Sequence, residues 1–219
     1  MGTITRSFAN NITTSGVLLP ASLTNNSIAN VTAYNASIAT GSMILLSSQT
    51  ASNSASISFT TGINSTYKEY QFWFIDIHCR TDSVSFVFNL STDSGSNYNV
   101  TKTTTFFDAF ANEADNNVGL NYLTSSDLAQ STAFQNLNES TNMSSDADHS
   151  LVGSMSLFNP SSTTYVKHFI ANTTHAHQAD YSLNCFIAGY GNTTSAINAV
   201  QFKMSSGNFD GTILMYGIV

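Results

Sequence analysis

Two histidines, His175 and His177, flank a single alanine and have the spacing of a metal half-site. On a β-strand alternate side chains point to the same face, so this pair would offer two neighbouring imidazoles to a zinc ion. Asp180 or His168 would be the third ligand, and no spacing selects between them. Because residues 172–180 are mostly polar, we predict a surface loop there and no metal centre.

Two acidic segments offer carboxylates to a cation. Asp146-Ala147-Asp148-His149 combines two carboxylates with an imidazole, in a spacing that matches no developed calcium or zinc loop. The run Asp93-Ser94-Gly95-Ser96-Asn97 resembles the start of a calcium loop but lacks the acidic residue that closes one. We therefore predict a hairpin turn at residues 93–97 and no bound cation.

Nucleophilic and cofactor chemistry has little support in the sequence. There is no Gly-x-Ser-x-Gly elbow, phosphate loop or dinucleotide fingerprint. His78 and Cys79 are adjacent, so on a strand they would point to opposite faces and could not act as a base and its nucleophile. His168 shares strand parity with Ile170, and we interpret it as a strand-face histidine. Carboxylate pairs for glycoside hydrolysis meet only in space, so the sequence leaves them open, and we predict a non-enzyme without a cofactor.

Aromatic side chains that could stack on a sugar are Trp73, Tyr98, Tyr122 and Tyr190. Trp73 lies in the most apolar segment, which predicts a core position. Tyr190 lies between two glycines in a predicted turn. It is either an exposed platform for a glycan or a residue that packs within its own turn.

The composition excludes several classes of protein. Charged residues make up 9% of the 219 positions, against about 25% in ordinary globular proteins, and Ser, Thr and Asn replace them. A net charge of −7 argues against nucleic-acid binding, which needs a basic surface. No apolar run is long enough to cross a bilayer, and the first residues lack the apolar core of a signal peptide. We expect Cys79 and Cys185 to be reduced and buried, with a disulfide as the alternative.

The stretch from Tyr67 to Val100 is the predicted centre of the fold. Residues 70–77 are apolar at both parities, which predicts a strand covered on both faces. Residues 84–90 alternate apolar and polar, which predicts a strand with one face on the core and one in water. A short loop at residues 80–82 would join the two strands as a hairpin.

The rest of the chain predicts an all-β domain. Short apolar or alternating runs recur with turn residues between them, as in a sandwich or a jelly roll. Ser126-Asp127-Leu128-Ala129-Gln130 could begin one short helix, and residues 138–149 read as a polar loop. We predict an extended N-terminal arm at residues 1–40 and a single jelly-roll-like β-sandwich domain at residues 41–219. The arm is either a free terminus or a segment that orders against a neighbouring subunit.

Three segments resemble virion structural proteins of tailed phages that infect aquatic bacteria. They are the closing run from Ala199 to Ile218, which contains Ser-Ser-Gly-Asn and ends in Tyr-Gly-Ile, the segment from Phe86 to Tyr98, and the run from Leu157 to Thr163. The similarity covers residues 41–219. It implies a structural or fibre-like role in a bacteriophage particle and supplies no catalytic residues.

The chain is short and has no heptads or collagen-like repeat, so it lacks the shaft of a tail fibre. Together with the resemblance, this predicts a capsid decoration or cement protein on the virion surface, assembled in the host cytoplasm. Its expected partner is the major capsid protein, and by analogy it would form a homo-oligomer, with a homotrimer favoured. The alternative is a tail fibre or tail-tip module that binds a host glycan. Neither hypothesis involves nucleic acid or membrane insertion.

Overall fold

The fold is known from a computed structural model, which describes residues 42–219; the predicted arm at residues 1–40 lies outside the described residues. The described chain is built from twelve strands and contains no helix. They are β1 Met43–Ser54, β2 Ser56–Phe59, β3 Glu69–Cys79, β4 Phe86–Ser91, β5 Lys102–Asn112, β6 Val118–Tyr122, β7 Gln135–Asn136, β8 Leu151–Phe158, β9 Lys167–His177, β10 Tyr181–Gly191, β11 Ala199–Met204 and β12 Phe209–Ile218.

The strands form two antiparallel sheets that pack face to face, which confirms the predicted all-β sandwich. The larger sheet has eight strands in the order β1-β12-β3-β8-β9-β10-β5-β6. The smaller sheet has four, in the order β2-β11-β4-β7. The inner faces of the two sheets enclose the core, and the large sheet turns its other face outward.

Phe202 on β11 lies at the centre of the core. Its ring centroid is 5.3 Å from that of Phe72 and 5.2 Å from that of Phe74, both on β3 of the opposite sheet. Within its own sheet it stacks on Phe86 of β4 at 5.9 Å. All four rings are essentially inaccessible to solvent. The aromatic cluster therefore joins the two sheets.

The predicted hairpin between residues 67 and 100 is wrong, because β3 lies in the large sheet and β4 in the small one. The two burial predictions are also reversed. β3 buries Tyr70, Phe72 and Phe74, while Trp73 on its other face is 41% exposed. β4 is buried at all six positions, since the side-chain amide of Asn89 donates to the carbonyls of Tyr98 and Thr132, whose segments cover its outer side.

Two further local predictions are wrong. Residues 126–130 form irregular turns, because Leu128 donates its N–H to the Thr104 hydroxyl instead of beginning a helix. Residues 172–177 belong to β9, since they pair with β10 and, as far as His175, also with β8. Residues 138–149 form a loop as predicted, and it is partly buried, with the Asn138 carboxamide accepting the N–H of Phe86.

The prediction for the cysteines is confirmed, since Cys79 and Cys185 are free thiols with no exposed surface. The predicted turn at residues 93–97 is present, and the Asp93 carboxylate accepts the N–H of Asn97 there at 2.9 Å. It is not a hairpin turn, because β4 and β5 lie in different sheets. No helix in residues 42–219 is long and apolar enough to cross a membrane.

Candidate functional site

The outward side chains of the eight-stranded sheet form a surface that we call the outer face. Glu69 of β3 lies at its border, where the carboxylate accepts the Ser156 hydroxyl at 2.7 Å. The side chains in the centre of the face are uncharged. Antiparallel pairing aligns these side chains in three rows across the strands. The first row is Leu45, Tyr216, Gln71, Ser156, Ile170, Ala188 and Thr105; the second is Ser48, Leu214, Trp73, Ser154, Asn172, Phe186, Phe107 and Tyr122; the third is Val152, Thr174, Asn184, Ala109 and Leu120. None of these twenty residues is charged.

Large apolar side chains stand at both ends of the rows. At one end Trp73 packs on Tyr216, with ring centroids 5.7 Å apart. At the other, Phe107 and Phe186 stack at 4.9 Å, next to Leu120, which is 70% exposed. These exposed apolar groups, on either side of the small polar side chains of Ser154, Asn172 and Thr174, make the outer face a candidate binding surface.

Several polar groups of the outer face are hydrogen-bonded within the protein, and two of them donate to carboxylates at its border, Ser156 to Glu69 and Tyr122 to Asp127, both at 2.7 Å. The indole N–H of Trp73 donates to the side-chain Oε1 of Gln71 at 2.9 Å. The side-chain amide of Asn172 donates to Asn184 at 3.0 Å, and the Thr174 hydroxyl donates to the Leu183 carbonyl at 2.8 Å. A partner that covered these groups would leave few of them unsatisfied, so their desolvation would cost little.

A shallow groove of about 420 Å³ crosses the outer face near one end of β9 and β10. Tyr190 and His168 form a cross-strand pair along it, with ring centroids 6.0 Å apart, and Phe158 and Ile170 supply apolar walls. Tyr190 is therefore not confined to a turn, because it lies within β10. Of the predicted aromatic platforms, Trp73, Tyr122 and Tyr190 all lie on this side of the sheet.

The predicted histidine pair lies on the inner side of β9. His175 is only 4% exposed, and its Nε2–H donates to the Asn142 carbonyl oxygen at 3.0 Å. That oxygen is identified because the amide nitrogen of Asn142 donates to the Glu139 carboxylate at 2.6 Å. His177 Nδ1 accepts the N–H of Ala179 at 2.8 Å. Each imidazole thus has its own hydrogen-bond partner.

A second groove of about 420 Å³ brings the two predicted histidine segments together, since His149, His175, His177 and Asp180 all line it. The Nδ1 atoms of His149 and His175 are buried there without a hydrogen-bond partner. Burial, with a smaller contribution from His177, lowers the pKa of His175 to about 4. Among residues 42–219, no three His, Cys, Asp or Glu side chains are placed to hold a metal ion.

The other candidate residues are separated or engaged in structural contacts. Asp146 accepts the hydroxyl of Ser144 at 2.8 Å, and the Cys79 thiol donates to the Ser144 carbonyl at 3.1 Å. Burial raises the pKa of Cys79 to about 11, so the thiol is protonated at neutral pH. His78 instead bonds through Nδ1 to the carbonyl of His149, away from the thiol.

Phe107 and Phe186 were not singled out by the sequence patterns, although the signal was present. β10 alternates buried Leu183, Cys185 and Ile187 with an outward face on which Phe186 and Ala188 follow the polar Ser182 and Asn184, so its outward face is partly apolar. Within the described chain only the inner face is covered.

No protein-family model, no curated protein and no solved structure matches this chain.

Proposed function

We propose that this protein is a structural component of a phage virion, a capsid decoration or cement protein that stabilises the shell by binding across capsid subunits. The observation that supports this best is the outer face, whose twenty central residues are uncharged and include large exposed apolar side chains. A surface of that kind is suited to burial against protein. The resemblance of residues 41–219 to virion structural proteins supports the same assignment.

A cement protein acts by linkage. It binds the assembled shell better than the free capsid subunits, so the assembled state gains the free energy of binding. The low content of charged residues suits this role, because crowded copies on a repetitive particle then repel one another only weakly. The expected partner is the major capsid protein.

The proposal is tested on particles with and without the protein. We expect particles that lack it to lose their genome at a lower temperature or pressure, and purified protein added back to restore their resistance. We also expect on the order of hundreds of copies per particle, as repetition over a symmetric shell requires. Unchanged resistance, or only a few copies restricted to the tail, would contradict the cement role.

The groove beside Tyr190 favours a second candidate, a tail module that binds a host glycan. Aromatic rings at the edge of a shallow groove can stack on a sugar. In that case excess free protein would block attachment of the phage to its host, and Tyr190→Ala would remove the inhibition. Tyr165→Ala, which alters an exposed tyrosine outside the groove, is the matched control.

A further inference from the structure

We propose that the outer face binds a second copy of this chain, so that the protein is a homo-oligomer held together by this surface. The inference rests on the proposed function and deepens it by naming the partner of the outer face. An oligomer carries several shell-binding surfaces at once, and this multivalency would let it bridge neighbouring capsid subunits.

The first argument is the distribution of apolar residues. β3 is apolar at both parities over residues 70–77, a pattern typical of strands covered on both faces, and β10 adds Phe186 and Ala188 to the outward side. The small sheet covers the inner face only, which leaves Trp73 41% exposed and Phe186 39% exposed. A second molecule that covers the outer face would complete the burial that the pattern predicts.

The second argument is electrostatic. All 13 acidic residues of the chain lie within residues 42–219, yet none occupies the three rows of the outer face. The two carboxylates that border the rows, those of Glu69 and Asp127, accept the hydroxyls of Ser156 and Tyr122. Two copies, each with a net charge of −7, therefore approach through this face with the least repulsion between like charges. A surface without charge also offers nothing for a charged partner to complement, whereas an identical surface matches it.

The third argument is the size and shape of the surface. Eight strands about 4.8 Å apart and three rows about 7 Å apart give the outer face a projected area of roughly 700 Å². A stable protein interface buries about 800 Å² on each partner, so the two values are comparable. The large side chains at the two ends of the rows are separated by the smaller side chains of Ser154, Asn172 and Thr174. These smaller residues leave a shallow depression that can accommodate the aromatic side chains of another copy.

The experiment is to measure the solution mass of the full chain by sedimentation equilibrium or by light scattering. We expect a multiple of the 23.5 kDa chain mass. Phe186→Glu and Leu120→Glu each place a charge on the outer face, and we expect both to reduce the mass to that of one chain. Leu120 is 70% exposed, so its replacement leaves the core intact even if Phe186→Glu fails to fold. Tyr165→Glu, outside the three rows, should keep the oligomer.

Each outcome separates this inference from the proposed function. A wild-type monomer, or an oligomer unchanged by both charge substitutions, would overturn the inference. If the wild type is monomeric and Leu120→Glu abolishes co-sedimentation with shells, the outer face binds the capsid, which overturns the inference and keeps the cement role. An oligomer that is sensitive to both substitutions supports the inference, even if it binds no shells and the cement role fails.

Discussion

Lys102 on β5 and Lys167 on β9 flank Gly191 of β10 from its two sides, and both side chains are fully buried. The Lys102 amine donates to the Asn89 carboxamide oxygen at 2.5 Å and to the Val100 carbonyl at 2.8 Å. The Lys167 amine donates to the carbonyls of Tyr165 and Thr193. All four acceptors are neutral, so neither lysine has a carboxylate among its hydrogen-bond partners.

This burial predicts a dependence of stability on pH. Burial lowers the pKa of Lys102 to about 7 from an ordinary value of 10.5. Between these values the unfolded chain binds the proton and the folded chain does not, so the free energy of unfolding rises with pH. The slope from one such group is about 1.4 kcal/mol per pH unit. We expect Lys102→Met to remove that contribution in urea unfolding measured between pH 7 and about pH 8.5.

The two buried thiols set the upper limit of the pH range in which the Lys102 effect can be measured. Burial raises the pKa of Cys79 to about 11 and that of Cys185 to about 12, and above their ordinary value of 9.0 they give a slope of opposite sign. Lys203→Met is the control, because it makes the same substitution at a lysine that is only partly buried, with its amine over the Phe134 ring at 4.4 Å. If Lys102→Met retains the full wild-type slope, Lys102 is not a deprotonated buried amine in this range.

His175 predicts a second dependence on pH, in the acidic range. Its pKa is lowered from 6.5 to about 4, so as the pH falls between these values the unfolded chain gains a proton that the folded chain excludes. The free energy of unfolding therefore falls with decreasing pH, by up to about 3 kcal/mol from this one group. His177, whose pKa burial also lowers, acts in the same direction.

The His175→Gln variant isolates this effect, because glutamine cannot take up the proton and its amide can still donate to Asn142. Asp108 and Glu139 have pKa values raised by burial and contribute a slope of opposite sign, so the comparison between variants is the useful quantity. His168→Gln, at an exposed position on the outer face, is the matched control. A His175→Gln protein that loses stability in acid as steeply as wild type would refute the assignment.

The fold class could be predicted from the sequence, and the partition of strands between sheets could not. Short alternating runs between turn residues were enough to predict an all-β domain, because alternation is a local signal. Which strands pair is decided by contacts between distant residues, such as those of β3 with β8 and β12. The short loop at residues 80–82 suggested a hairpin, whereas the chain crosses there from one sheet to the other.

The candidate site was predictable only in part, for the same reason. His175 and His177 share a face as their spacing requires, but the burial of His175 comes from Asn142, which is 33 residues away in sequence. The composition predicts a protein surface with few charges, since only 9% of the residues are charged. It could not reveal that the two buried lysines remove a third of the six basic residues from that surface.

Phe202 provides a test of the core. Its ring lies within about 6 Å of rings from both sheets, including Phe59 at 6.2 Å and Phe72 at 5.3 Å. We expect Phe202→Ala to lower the free energy of unfolding by about 3–5 kcal/mol, because it removes buried surface and leaves a cavity. Tyr165→Ala, at a position that is 69% exposed, should change it by less than about 0.5 kcal/mol. Similar losses in the two variants, measured by urea unfolding, would mean that Phe202 does not join the sheets.

Gly211 provides a test of the β-bulge where β12 meets β3. Its φ of +126° is unfavourable for other residues, and an added Cβ would lie 2.6 Å from the Asp76 carbonyl oxygen and 2.9 Å from the Ile77 Cα. Both contacts are with backbone, so the bulge cannot yield by moving a side chain. We expect Gly211→Ala to lower the free energy of unfolding by about 2–4 kcal/mol, from backbone strain and steric overlap. Thr212→Ala, one residue further along, should cost under about 1 kcal/mol, because it removes only the exposed hydroxyl contact with Thr50. Equal urea midpoints for wild type and Gly211→Ala would show that the bulge is not built as described.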